Sequence, residues 1–257
     1  SQPWAGDVLP TDLGGHDALL VMGGWMSAHH DDEVAWLTPV KELFRQAHRA
    51  DVPTLGICLG HQVAAVALGG EVRKNPLGQQ VGLTDIGWLD EASDDPLFGA
   101  VATPRQGIHW NSDIVTELPP GAVELARAPR GEVQAARFGE VMWGVQWHPE
   151  IDEPLLRRWA ADDPVSPTES GVVIEDELAR VAAARAELDD AWRPLASRFA
   201  EIVLRRWPAR STRSAGRTCC GSASATLPEP ATTSTGSTVP PSRCWRSSRV
   251  PPTPTRP

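Results

Sequence analysis

The stretch Val52-Pro-Thr-Leu-Gly-Ile-Cys-Leu-Gly-His-Gln62 constrains this chain more than any other. An apolar run rich in β-formers ends at Gly56, and the helix-compatible segment Leu59 to Leu68 begins just after Cys58. Strand, sharp turn, helix is the local reading. Gly56-Ile-Cys58-Leu-Gly60 has the form of a nucleophile elbow with cysteine in place of serine. Glycines two residues to either side let the backbone turn without Cβ clashes. Such a turn holds the sulfur at a helix N-terminus, where unpaired N–H groups favour thiolate over thiol. It also aims the N–H of Leu59 at the same point, as half of an oxyanion hole. Viewed alone, the pattern also suits a buried cysteine in a strand-to-helix connection.

The residues before it extend the pattern. Asp17 to Met22 reads as a buried parallel strand. It runs into Gly23-Gly24-Trp25-Met26, which is either an ordinary turn or a place where backbone approaches something closely. A helix is expected from about Glu33 to Ala50, with Val34, Leu37, Leu43, Phe44 and Ala47 as its apolar stripe. Asp17 to Leu68 is therefore a β-α-β-α unit, which implies a parallel sheet with right-handed crossovers. His29-His-Asp-Asp-Glu33 holds metal-ligand residue types, but adjacent residues seldom converge on one ion. The run reads as a polar loop and helix start, and no metal site is expected.

Further strands are expected at Gln80–Leu83, Ile86–Leu89, Val123–Ala126, Val133–Phe138 and Val141–Trp147, with a helical turn at Asp94–Phe98. The last strand leads into His148-Pro149-Glu150, the second chemical signal. Pro149 keeps His148 extended, and in an extended chain residues two apart share a side. Glu150 can therefore orient the His148 imidazole, and with Cys58 these are the parts of a nucleophile, base and orienting acid. Asp152–Asp163 and Val172–Trp207 read as helices, the second broken near Pro194.

Cys58 is the only cysteine before Cys219, so no disulfide framework holds the body, which fits a reducing cytoplasmic setting. No run approaches the ~18 apolar residues of a membrane span, and no signal pattern is present. Residues 1–207 carry a net charge of −15 and residues 208–257 carry +6. The acidic body argues against a nucleic-acid surface, and the basic tail lacks the aromatics to make one. No nucleic-acid or membrane partner is expected. The division at Pro208 is compositional: 1–207 reads as the folded domain, and 208–257, rich in Ser, Thr, Pro and Arg, as a disordered tail. A frame shifted within GC-rich DNA is one hypothesis for that tail; resequencing that finds an intact frame through Pro257 removes it.

Taken together, Gly56-Ile-Cys58-Leu-Gly60-His-Gln62 and Trp147-His148-Pro149-Glu150 resemble the class I glutamine amidotransferases, in particular stand-alone domains similar to the glutaminase part of GMP synthetase. The resemblance covers about residues 8–205. It implies an α/β fold, with a parallel or mixed central sheet flanked by helices in the flavodoxin-like manner. It implies that Cys58 attacks the side-chain amide of L-glutamine, that His148 moves the proton and that Glu150 holds His148. Gly24 and Leu59 would supply the oxyanion N–H groups, and Gln62 would help seat the substrate. No cofactor is implied, and the ammonia would go to an acceptor on a separate synthetase or other protein. His109 to Asp113 resembles the family's His-x-Gly-Asp segment, with Asn111 where glycine is usual, and no catalytic role is carried over to it. Two departures stand out. Family members open with a further strand and helix before the equivalent of Asp17–Met22, so the first strand, usually central, is expected to be absent here. Trp25 replaces the proline common after the glycine pair. Two other functions compete: a γ-glutamyl hydrolase or peptidase of the same fold, and a catalytically silent regulatory or binding subunit.

Overall fold

In the computed structural model, which describes residues 1–103, 105–163 and 165–206, strands and helices alternate from the first strand to the helix after the elbow. They run β1 (Leu19–Val21), α1 (Leu37–Arg49), β2 (Thr54–Ile57) and α2 (Leu59–Ala67). A strand-rich stretch follows: β3 (Glu71–Lys74), β4 (Gln80–Trp88), β5 (Arg105–Asn111), β6 (Asp113–Glu117), β7 (Val123–Arg127), β8 (Val133–Arg137) and β9 (Met142–Val145). Four helices complete the described chain: α3 (Glu153–Asp162), α4 (Val165–Glu169), α5 (Ile174–Ala183) and α6 (Arg185–Arg206). Seven strands form one mixed sheet in the order β1-β2-β9-β8-β7-β4-β5, and β3 pairs with β6. The β1-β2-β9 portion is parallel, and the other pairings are antiparallel.

The parallel portion explains where the elbow sits. Gly56 of β2 lies in register with Gly144 of β9 and with Val21 of β1. Both glycines form a floor on which α2 lies unusually low. A Cβ on Gly56 would stand 2.5 Å from the Gly60 carbonyl, and one on Gly60 would stand 2.2 Å from the Val21 carbonyl oxygen. Larger residues would lift the helix, so small ones set the height of its N-terminus above the sheet end.

The two faces of the sheet bury separate apolar cores. Leu37, Val40, Phe44 and Ala47 of α1 pack with Val63, Ala64 and Ala67 of α2 and with Met142 and Phe138. On the other face Leu55, Ile57, Trp143 and Val145 meet Leu97, Phe98, Leu178, Val181 and Leu195. Trp147 anchors this second core, its ring 5.0 Å from that of Trp192 and 5.8 Å from that of Trp88. No helix among the described residues is long and apolar enough to cross a membrane.

Several expected boundaries move. Helix α1 begins at Leu37, four residues later than its apolar stripe suggested, because Asp31 stays in the preceding loop and binds Thr38 and Lys41 of α1. The two strands expected between Gln80 and Leu89 are one, since β5 pairs continuously across Thr84 and Asp85. The C-terminal helix runs unbroken through Pro194 and breaks instead at Ala184, between α5 and α6. Pro194 is exposed, so water can satisfy the carbonyl its missing N–H leaves free. The reading of residues 208–257 falls outside the described residues.

His61 shows what the low helix costs. Its ring is fully buried over Gly144 and 5.6 Å from the Phe138 ring, and neither nitrogen has a hydrogen-bond partner. Burial pushes its pKa down from 6.5 to about 3. The unfolded chain takes up this proton near 6.5 while the folded one refuses it until about 3. Stability is therefore complete above pH 6.5 and falls as pH drops toward 3, by about 1.4 kcal/mol per pH unit for this group. Urea unfolding of wild type and His61→Phe at pH 7 and pH 5 checks this: the variant loses less stability between the two.

Candidate active site

At the end of β2 the chain reverses through Cys58, whose φ is 52° and ψ −104°. A side-chain-bearing residue in that region carries about 1–3 kcal/mol of strain and persists only where its surroundings hold it. They do: the Cys58 N–H donates to the Val145 carbonyl at 2.8 Å, and the Cys58 carbonyl accepts from the Gln62 N–H at 3.1 Å. The flanking glycines contribute room rather than unusual dihedrals, since neither Gly56 nor Gly60 adopts a positive φ. The strain sits on the cysteine itself. Its side chain is buried at the N-terminus of α2, where the first N–H groups lack intrahelical acceptors.

His148 arrives from the neighbouring strand. Trp147 points into the apolar core, so Gln146 and His148 face the opposite side, toward Cys58. The His148 N–H donates to the Ile108 carbonyl at 2.8 Å, tying the segment to β5. Its Nδ1 lies 2.7 Å from Glu150 Oε1. The carboxylate only accepts, so Nδ1 carries a hydrogen and Nε2 is left for the sulfur. Burial alone would lower the imidazole's pKa. The charge and hydrogen bonding of the Cys58 sulfur, with the Glu150 carboxylate, overcome it and raise the value to about 10. Near neutral pH the pair is thus arranged as imidazolium and thiolate. The Trp159 ring of α3 stands edge-on to His148 at 4.8 Å and meets Trp110 at 6.2 Å, closing one side of the imidazole.

The glycine pair lines the same place. A Cβ on Gly23 would stand 2.7 Å from His148 Cε1 and 3.6 Å from Cys58 Cβ, and one on Gly24 would stand 2.8 Å from Leu59 Cδ2. Close approach, not a left-handed turn, is what requires glycine there. The structure therefore brings Cys58, Leu59, Gly24, His148 and Glu150 around one point. Gln62, one helical turn on, reaches behind the sulfur: its Nε2 donates to the Asp113 carbonyl at 2.8 Å and to Gln146 Oε1 at 3.1 Å. His29 and Asp31 are engaged elsewhere, His29 with the Val72 carbonyl and Asp31 with Lys41. Among the described residues no group of three or more His, Cys, Asp or Glu is placed to hold a metal ion.

Sequence reasoning passed over the polar layer around this point. Gln146 Nε2 lies 3.5 Å from Cys58 Sγ, and His109 is fully buried with Nδ1 3.1 Å from the Gly107 carbonyl and Nε2 3.2 Å from Gln134 Nε2. Burial holds the His109 pKa down at about 4, so it is neutral. Alternation along the strand would have placed Gln146 on the side of His148; nothing local marked Trp159.

Known proteins share this sequence and this fold. The profile of the family described as glutamine amidotransferase class-I matches residues 7–154. The separate glutamine-hydrolyzing chain of the GMP synthase of Archaeoglobus fulgidus is 40% identical over 104 residues, which is 39% of this chain and 54% of that protein. Gamma-glutamyl peptidase 5 of Arabidopsis thaliana is 29% identical over 147 residues, 56% of this chain and 58% of that protein. The chain thus spans about half the length of these curated relatives. A solved glutamine amidotransferase from Thermotoga maritima superposes with a TM-score of 0.68 at 22% identity, covering 77% of this chain and 84% of that one, and so shares the fold.

Proposed function

This chain belongs to the class-I glutamine amidotransferases, and from that membership we propose that it hydrolyses the side-chain amide of L-glutamine through a Cys58 thioester. One observation carries the reading: a strained, helix-capping Cys58 meets a buried His148 whose far nitrogen is held by Glu150. The Cys58 thiolate adds to the amide carbon. Negative charge collects on the carbonyl oxygen, toward which the N–H groups of Gly24 and Leu59 point. As the C–N bond breaks, the His148 imidazolium gives its Nε2 proton to the nitrogen, which leaves as ammonia. Neutral His148 then takes a proton from water as the water adds to the thioester. The C–S bond breaks, glutamate leaves and the thiolate returns. Gln62 belongs to the wall that seats the glutamine.

Glu150 keeps the imidazole in the useful tautomer and stabilises its charged form. Glu150→Gln preserves volume but not charge, and is expected to lower kcat for ammonia release about 10²-fold with KM little changed. The ammonia's acceptor lies on another chain in this reading, as the division of GMP synthase into subunits in the Archaeoglobus relative suggests.

A second reading rests on the Arabidopsis relative, whose name assigns it γ-glutamyl peptidase activity. The same chemistry cleaves a γ-glutamyl bond to a larger amine if the leaving-group side has room. Comparing kcat/KM for L-glutamine and γ-glutamyl-p-nitroanilide separates the two. Preference for glutamine supports the amidotransferase, and preference for the anilide supports the peptidase.

A further inference from the structure

A chain of side-chain amides with fixed polarity runs from a backbone carbonyl to the nucleophile. An amide side chain fits among its neighbours either way round, so the partners decide which end is nitrogen. Here the decision starts at Asp113, whose backbone carbonyl can only accept. Gln62 must therefore present Nε2 to it, at 2.8 Å. The second hydrogen on that nitrogen goes to Gln146, 3.1 Å away, which must answer with Oε1. Gln146 is then left with Nε2 facing Cys58 Sγ at 3.5 Å. All three side chains are buried, Gln146 completely and Gln62 to within 3%, so water does not substitute for these bonds.

We infer that the Asp113–Gln62–Gln146 relay is a built-in thiolate holder, in which Gln146 donates to the sulfur from a side other than that of His148 and Gln62 sets its direction. Because the relay cannot run backwards, the sulfur is always offered a donor. That offer favours a thiolate, the better acceptor, over a thiol. The Asp113 carbonyl also accepts from Asn111 Nδ2 at 3.1 Å, which pins the start of the relay to β5. Gln146 touches the reacting atom; Gln62 and Asp113 are positioning groups that act through it. The inference rests on reading Cys58 as the nucleophile, but not on which amide it attacks.

The test is the rate at which iodoacetamide alkylates Cys58 at pH 7, read by mass spectrometry of the Cys58 peptide so that Cys219, Cys220 and Cys244 do not intrude. Gln146→Met removes the donor at similar volume, and Gln146→Glu puts an acceptor in its place. Both are expected to alkylate about tenfold more slowly than wild type, with melting temperature as the check on folding. Gln62→Glu reverses the polarity one link earlier and decides the matter if neither Gln146 variant holds its fold. Slowing in these folded variants supports the relay even if wild type releases no ammonia, a result that removes the glutaminase reading alone. Folded variants that alkylate within twofold of wild type overturn the relay.

Discussion

Replacing Cys58 with alanine is expected to reduce ammonia release from L-glutamine by about 10⁴-fold or more while leaving the fold intact. The size follows from the role: without the sulfur there is no covalent intermediate, and His148 has no nucleophile to serve. The fold should survive because Cys58 packs little more than its Cβ, and alanine retains that atom in the same strained turn. Alanine also relieves burial of a polarisable group beside a charged imidazole. A Cys58→Ala protein that melts like wild type yet hydrolyses glutamine at a comparable rate would remove the sulfur from the chemistry. Steady-state ammonia assays with matched thermal melts are sufficient to decide.

Gly60→Ala should have the largest effect on stability. Its new methyl would stand 2.2 Å from the Val21 carbonyl oxygen and 2.9 Å from the Val21 carbonyl carbon. Both are backbone atoms of a strand held in register with β2, so no side chain can swing aside. Either α2 lifts from its glycine floor or β1 is displaced. Overpacking of this kind costs about 3 kcal/mol, roughly 10 °C in melting temperature for a domain of this size. Lifting α2 would also move Cys58 and Leu59 away from His148, so activity should fall further than stability alone explains. Ala64, which faces the same core one turn later, has room for its methyl and shows that the helix itself tolerates alanine. A Gly60→Ala protein with wild-type melting would mean that the close helix-to-sheet contact is not what the elbow depends on.

The fold was legible where local pattern and tertiary environment agree. Asp17–Met22 and Val52–Gly56 are apolar runs because they lie inside a parallel portion with helices on both sides, and the β-α-β-α order followed from them. The antiparallel part was harder. β3 reads Glu-Val-Arg-Lys and buries only Val72, while β5 is interrupted to the eye by His109 and Asn111. Those polar residues are buried because they meet one another, Asn111 with Gln80 and His109 with Gln134, and no single segment announces such a partnership. Pro194 misled for a related reason. A proline breaks a helix when its carbonyl partner has nowhere to turn, and only the folded chain shows that this turn is exposed.

The candidate site divides along the same line. Cys58 and His148-Pro149-Glu150 were visible because each needs a short, unusual backbone: a glycine-flanked elbow and an extended Pro-held tripeptide. Gly23-Gly24 was visible as a pair, but its cause, the approach of His148 and Leu59, was not. Gln146 lies two residues before His148 and shares its side, so strand alternation alone could have drawn it in. Trp159 could not have been found that way. It reaches His148 only because α3 folds back across the end of β9, and its spacing from the imidazole reflects that packing rather than any motif.

The central claim is that glutamine passes through a covalent bond to Cys58, and the most direct measurement is an acid-quenched reaction followed by peptide mass spectrometry. The expected result is a γ-glutamyl group on the peptide that contains Cys58, present while L-glutamine is being consumed and absent from the Cys58→Ala protein. Ammonia release with no adduct on Cys58, or with the adduct on Cys219, Cys220 or Cys244, would contradict it.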